Sequence, residues 1–351
     1  MNSRTLSVVV LTCGRAALLE RALESLRKGK PVDRESVILE TLVIVNGTAD
    51  PADEHVLEAH RDHIRVIRVS RQRPGGARNH GIDSAKGEWI LFLDDDARLP
   101  EGGEGMLSQV IDRAIERAAG IVGGPNLTPP DAPRFQRAAG RTLQSRFAAY
   151  FSSKRYVGTG TAPWDCGDES LMLCNLLVRR DLLARSGIRF EPSLDCNEEN
   201  LLIQRLIESG TKAVYDPGFW VFHERRSNLA SFCRQVYKYG WGRAQNSILN
   251  PRSLHWAHVI PALCLVLAVL LPGAAWITGN PSGCFIPFVV YAAICSALAV
   301  RSREPWMLAL LPAIHASYAL GLIAGFLAYG APTRYLFDQH RLRQRLGPSG
   351  A

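Results

Sequence analysis

Three consecutive aspartates, Asp94, Asp95 and Asp96, sit in the stretch Gly87–Pro100, GEWILFLDDDARLP. The apolar run Trp89 to Leu93 before them has the length of a buried strand and is bounded by turn residues. The carboxylates therefore emerge together at the C-terminal end of a strand, where open α/β sheets bind ligands. Asp94 and Asp96, two positions apart, bring oxygens to one side of a turn. That is a ligand set for a hard cation such as Mg²⁺ or Mn²⁺, which bridges carboxylates to phosphates. A solvated acidic turn is the competing reading of the same three residues.

A second chemistry-bearing stretch lies just upstream, RQRPGGARNHGIDSAKG, Arg71 to Gly87. Its Pro-Gly-Gly segment predicts a turn whose backbone amides approach phosphate oxygens, followed by a helix over 77–85. Arg73 and Arg78 supply charge-assisted hydrogen bonds to the same group. No GKS or GKT follows, so this is not a Walker loop, and a purely structural loop is the alternative.

Alternating elements must position these residues. Ser7 to Thr12 is a β-branched strand, followed by a turn and a helix in which Leu18, Leu19, Ala22, Leu23 and Leu26 recur at helical spacing. Glu40 to Asn46 predicts a second strand, Asp53 to Arg61 a helix, and Ile64 to Val69 a third strand with one wet face. The pattern predicts an α/β fold with a doubly wound, mostly parallel sheet. Downstream, Gly105 to Ala119 and Asn197 to Gly210 read as helices, and Gly120 to Gly124 and Leu171 to Arg180 as strands. Phe135 to Asp165 is weakly patterned and reads as a lid or an acceptor-facing element.

Composition sets the frame. The chain has 351 residues, 47% hydrophobic, and a formal charge of +8, so it can bury a large core and suits phosphorylated substrates or an anionic lipid surface. Basic residues are not interleaved with a stacking platform of aromatics, which argues against nucleic acid. No Lys, Arg, Asp or Glu occurs from Ser253 to Val300 or from Pro305 to Thr333, which predicts about three α-helical membrane segments: Trp256 to Ile277, Cys284 to Val300 and Trp306 to Tyr329. The third, interrupted by Pro312 and His315, is either a crossing or a re-entrant segment. The organisation expected is a cytosolic domain over 1–230, an amphipathic interfacial linker over 231–253, transmembrane helices over 254–330 and a basic tail over 331–351. Leu6 to Leu11 is too short for a secretory signal, and the eight cysteines are scattered without a CxxC pair. The expectation is a multi-pass protein of the inner (plasma) membrane with its catalytic domain in the reducing cytoplasm.

Five motifs in order, over about residues 5 to 245, resemble the family 2 glycosyltransferases, inverting enzymes with a GT-A fold. The opening strand and turn of that family, often PTYNR, lies over LTCGRAALL with Thr12 and Arg15 matching. Its VVDNGSTD signature lies over VIVNGTAD, which includes Asn46. The ARN-x-GI-x-x-A-x-G-E element is present as Ala77 to Glu88 and leads into the LDDD stretch, which resembles the DXD motif. The motif that carries the catalytic base lies over Glu198 and Glu199, and the PxxxVxH element lies over Pro217 to His223.

The resemblance implies a nucleotide-sugar donor, a glycan or lipid-linked acceptor, membrane lipid as a partner, and Mg²⁺ or Mn²⁺. It implies Glu199 as general base, Asp94 and Asp96 with His223 at the metal, and Thr12, Arg15, Asn46, Arg73, Arg78 and Asp95 on the nucleotide-diphosphate side. Val45 stands where many members carry a uracil-binding aspartate, so base recognition should differ here. The activity implied is sugar transfer in exopolysaccharide or cell-envelope synthesis. A polyprenyl-phosphate glycosyl synthase and a catalytically silent membrane scaffold or transport protein are the alternatives.

Overall fold

The computed structural model describes residues 4–28, 37–158, 160, 162–279 and 281–330. The basic tail expected over 331–351 lies outside them. The chain opens β1 (Leu6–Thr12), α1 (Ala16–Lys28), β2 (Ile38–Asn46), α2 (Pro51–Ala59), β3 (Arg65–Val69), α3 (Pro74–Ser84), β4 (Trp89–Asp94). It continues through β5 (Ala97–Arg98), α4 (Gly103–Glu116), β6 (Ile121–Gly123), β7 (Asn126–Leu127), α5 (Arg134–Leu143), α6 (Arg146–Ala149) and β8 (Trp164–Asp165). Then come β9 (Leu176–Arg179), α7 (Arg180–Ser186), α8 (Glu198–Glu208), β10 (Ala213–Tyr215) and β11 (Val221–His223). Four helices close the described chain: α9 (Leu229–Leu249), α10 (Trp256–Thr278), α11 (Pro281–Arg301) and α12 (Met307–Tyr329).

Two compact units result. The first holds the described residues up to Pro129 together with Lys154–Glu224, and the second holds Pro130–Ser153 together with those from Arg225 onward. The second unit thus takes α5 and α6 out of the middle of the span 1–230. The reason is the apolar face of α5: Ala138 and Ala139 are fully buried in one cluster with Phe232, Val236, Leu310 and Ile314.

In the first unit an eight-stranded sheet has the order β3-β2-β1-β4-β9-β6-β10-β8. β1 lies between β2 and β4, parallel to both, and its residues are all buried, as a β-branched run covered on both faces requires. Each aliphatic side chain so buried contributes about 1.5–3 kcal/mol. The sheet is mixed rather than wholly parallel, since β9 runs antiparallel to both β4 and β6. β3, at the edge of the sheet, exposes Arg65 and Arg68, which are three positions apart and so lie on opposite faces of the strand; the single wet face expected there does not form.

A three-stranded sheet, β5-β11-β7, stands at the C-terminal end of β4. Its strands are two or three residues long, too short to announce themselves by periodicity. Its third strand, Val221–His223, ends on His223. The turn expected at Pro74–Gly76 is instead the first turn of α3, because proline suits the first helical position. Gly75 is needed there for closeness rather than for a phosphate: a Cβ on it would lie 2.8 Å from the Glu191 carbonyl oxygen.

In the second unit, α9 and α12 run side by side with their backbones in contact. A Cβ on Gly240 would lie 2.1 Å from the Tyr318 carbonyl oxygen, and one on Gly321 2.0 Å from that of Tyr237. The amphipathic linker expected over 231–253 is largely the helix α9, packed along α12. Among the described residues two helices are long and apolar enough to cross a membrane, over Trp256–Ile277 and Met307–Tyr329, and α11 adds a shorter apolar stretch, Phe285–Arg301. They differ in company: 11% of the α10 window is buried within the protein against 39% of the α12 window, because α9 covers α12.

Candidate active site

The site lies wholly in the first unit, at the C-terminal ends of β1 and β4. The register pairs Leu11 with Asp94, so the turn after β1 emerges beside the three aspartates and delivers Arg15 to them. Asp95 and Asp96 form the two-residue turn between β4 and β5, and both are buried. Arg15 donates through Nε and Nη2 to the two oxygens of Asp95, and through Nη1 to Asp96 Oδ2. Burial pushes the Asp95 carboxyl up to about 7, against the pull of Arg15 and with the push of Asp96.

β11 brings the histidine. Its pairing with β5 sets His223 opposite Ala97, and the Glu224 amide donates to the Asp96 carbonyl oxygen at 2.9 Å. His223 Nε2 then lies 3.1 Å from Asp96 Oδ1. Asp94, Asp96 and His223 each offer a ligand atom, all within 4.8 Å of one another. Two carboxylates and an imidazole that already converge fit a divalent cation of the Mg²⁺ or Mn²⁺ kind.

The base candidate comes from the opening turn of α8. Asn197 holds the left-handed conformation at φ 62°, which asparagine tolerates, and starts the helix so that Glu198 and Glu199 occupy its first turn. Both are buried. Burial pushes the Glu199 carboxyl up to about 7, the Glu198 charge pushes the same way, and Arg155 and Arg78 pull back. Burial likewise raises Glu198, opposed chiefly by Arg78.

Arg78 joins the two carboxylate groups. From the middle of α3, buried, it donates through Nη2 to Asp94 Oδ1 at 2.8 Å and through Nη1 to Glu198 Oε1 at 2.5 Å. Its guanidinium is thus held between carboxylates and does not stand open as an independent phosphate ligand. Arg73, at the start of α3, pairs with Asp195 at 2.7 Å and is only partly buried. Asn46 uses its amide on the backbone of Gln72, at 2.8 and 2.9 Å, and so fixes the strand-to-helix connection rather than projecting outward. Thr12 is buried at the end of β1. Val45 is 3% exposed and packs in one cluster with Val10, Val43 and Val56, so it offers no polar atom to a base.

Arg155 carries no local signal, coming from the weakly patterned stretch. It is buried and donates to the carbonyl oxygens of Glu169 at 2.9 Å and Asp168 at 2.6 Å, and to Asn200 Oδ1 at 3.4 Å. It thereby ties the loop over 168–170 to the first turn of α8, next to Glu199. Chemically the arrangement separates two tasks: a cation and diphosphate side at Asp94, Asp96 and His223, and a buried carboxylate with raised proton affinity at Glu199.

Comparison with known proteins finds relatives of this chain. Residues 7–183 match the model of Glycosyl transferase family 2. The chain is 26% identical over 234 residues to the succinoglycan biosynthesis protein ExoO of Rhizobium meliloti, a match covering 64% of this chain and 62% of that protein. It is 34% identical over 122 residues to the GalNAc(5)-diNAcBac-PP-undecaprenol beta-1,3-glucosyltransferase of Campylobacter jejuni, covering 34% of this chain and 37% of that protein. These matches thus take in less than two thirds of either relative's length. Among solved structures, the mannosyltransferase PcManGT from Pyrobaculum calidifontis, in complex with GDP-Man and Mn²⁺, has a similar fold. The TM-score is 0.63 at 16% identity, over 92% of this chain and 86% of that one.

Proposed function

The chain belongs to glycosyltransferase family 2, and we propose that it is an inverting glycosyltransferase acting in exopolysaccharide or cell-envelope synthesis. It moves a sugar from a nucleotide-sugar donor to a glycan or lipid-linked acceptor. The observation that carries this reading is Arg78, which holds the aspartate group that suits a metal and the glutamate pair that suits a base in one buried network.

In a single displacement the acceptor oxygen forms a bond to the anomeric carbon while the bond from that carbon to the phosphate oxygen breaks. The acceptor proton passes to Glu199, and the nucleoside diphosphate leaves with the electron pair. Asp94, Asp96 and His223 would hold Mg²⁺ or Mn²⁺, which would neutralise charge on the departing diphosphate. Arg15 fixes Asp95 and Asp96 in place, and Arg73 adds a cation on the diphosphate side. Arg78 sets the distance between the two halves of the site. The apolar C-terminal helices support the reading of a multi-pass protein of the plasma membrane. The α10–α11 hairpin crosses, Arg301 and Arg303 lie on the cytosolic side, and the catalytic unit lies with them.

A donor screen on detergent-purified full chain, read as nucleoside diphosphate release and as transferred sugar, tests the activity; silence with every donor overturns it. The same screen tests base recognition. Because Val45 is apolar and buried, UDP should compete no more than a few-fold better than GDP or dTDP. A strong UDP preference would show that other residues read the uracil.

A further inference from the structure

The second unit carries a charged face that the transfer reaction does not use. On α5, Arg134, Arg137 and Arg141 are exposed, while Gln136, Ala138, Ala139, Gly140 and Thr142 are buried. At 3.6 residues per turn the three arginines fall within an arc of about 60°. The apolar side of the helix is pinned to the beginning of α12: the Phe135 ring meets Trp306 edge-on at 5.6 Å, and Arg141 reaches Glu304 at 3.4 Å. Just beyond lie Arg301 and Arg303, both exposed, at the connection from α11 to α12. Arg146, exposed at the start of α6, follows on the same segment as α5.

Among the described residues this basic group gathers where α11 ends and α12 begins. Of the acids there, Glu304 is buried and engaged by Arg141, which leaves Asp131 exposed near the start of α5. At the opposite end, residues 278–279 and 329–330 carry no charge, while the basic tail over 331–351 that follows α12 lies outside the described residues. A helix that buries alanines and turns a row of arginines outward, level with where apolar helices begin, matches in charge an anionic bilayer surface. Trp306, 37% exposed at the same level, is the residue type that settles among headgroups.

We infer that the arginine face of α5, with Arg301 and Arg303, docks on anionic phospholipid headgroups at the surface of the membrane that α10 and α11 enter. The inference rests on the membrane reading of those helices, and the first step of the test separates the two. Full-length protein and the Arg134→Gln/Arg137→Gln variant are both expected to stay in the membrane pellet through an alkaline carbonate wash. Release of wild type would overturn the membrane reading and the docking face with it. The purified chains in neutral detergent are then titrated with phosphatidylglycerol, phosphatidylcholine or inorganic phosphate, and the melting temperature is read.

Phosphatidylglycerol should raise the melting temperature of wild type, with half-saturation about fivefold weaker for each arginine removed. The effect should fade between about 50 mM and about 500 mM salt. Phosphatidylcholine and inorganic phosphate should do neither. An Arg185→Gln control, changed on the first unit, should behave as wild type. Nucleoside diphosphate release in detergent should be unchanged in the double variant, which shows that it is folded. Equal responses of wild type and double variant, or of the two lipids, overturn the proposal. So does an equal shift by free phosphate, which would make the site an ion site and not a lipid face.

Discussion

Asp96→Asn lowers turnover by orders of magnitude and leaves the fold standing. The substitution keeps the side chain's size, so the two-residue turn between β4 and β5 and the contact with His223 can persist. Arg15 keeps both oxygens of Asp95. What is lost is one carboxylate charge facing Arg15, a buried charge-assisted hydrogen bond worth about 1.5–3 kcal/mol. That is enough to lower the melting temperature by some degrees without unfolding the chain. The larger loss is at the cation. Within the Asp94, Asp96 and His223 group, Asp96 and His223 are in direct contact, and Asp96 supplies the negative charge of that pair, so removing it weakens the attraction for a cation.

Two readouts separate a metal role from a structural one. Calorimetric titration with Mn²⁺ in the presence of nucleoside diphosphate should show binding to wild type and little to Asp96→Asn. EDTA should silence wild type, and Mn²⁺ or Mg²⁺ should restore it. Near-normal turnover of Asp96→Asn in EDTA would sink the metal role.

The sequence showed the half of the site that local pattern encodes. A β-branched run buried on both faces and an apolar run ending in aspartates place β1 and β4, and with them Asp94, Asp95 and Asp96, because burial selects those side chains within a few residues of the site. The start of α3 was misplaced since proline and two glycines look alike whether they make a turn or open a helix; contact with Glu191, far along the chain, decides it. The partnerships of the arginines had no local trace. Arg73 meets Asp195 across 122 positions, Arg78 meets Glu198 across 120, and Arg155 meets Asn200 across 45. Arg78 was expected on the diphosphate; its burial between two carboxylates appears only once α3, β4 and α8 are brought together. The affiliation of α5 was equally hidden, because its buried positions are Gln136, Ala138, Ala139, Gly140 and Thr142, residues with little hydrophobic signal.

Glu199→Gln should bind donor almost normally and transfer poorly, because the missing carboxylate acts on the acceptor proton in the transition state. The pH dependence follows from the environment of the group. Burial and the neighbouring Glu198 hold its proton up to about 7, while Arg155 and Arg78 oppose them, so the base is available only above that value. Transfer by wild type should therefore rise as pH increases through about 7 and then level, whereas the residual rate of Glu199→Gln should lack that step. The competing role is structural: a carboxylate in the first turn of α8 favours the helix, and its loss would cost about 1 kcal/mol.

Stability distinguishes the two by sign. A carboxyl whose folded-state proton affinity is raised contributes stability at low pH that is lost as pH rises through the folded value. Glutamine never ionises, so at pH 8 the variant should melt no lower than wild type, and at pH 5 the two should agree. A helix-capping role predicts the reverse, a lower melting temperature at pH 8. Donor binding by calorimetry, initial rates and melting on the same preparation decide it. Equal loss of binding and rate with a lowered melting temperature would assign Glu199 to the helix. Unimpaired transfer to a lipid phosphate, an acceptor already ionised, would instead move the reaction to polyprenyl-phosphate glycosyl synthesis, in which no base is needed.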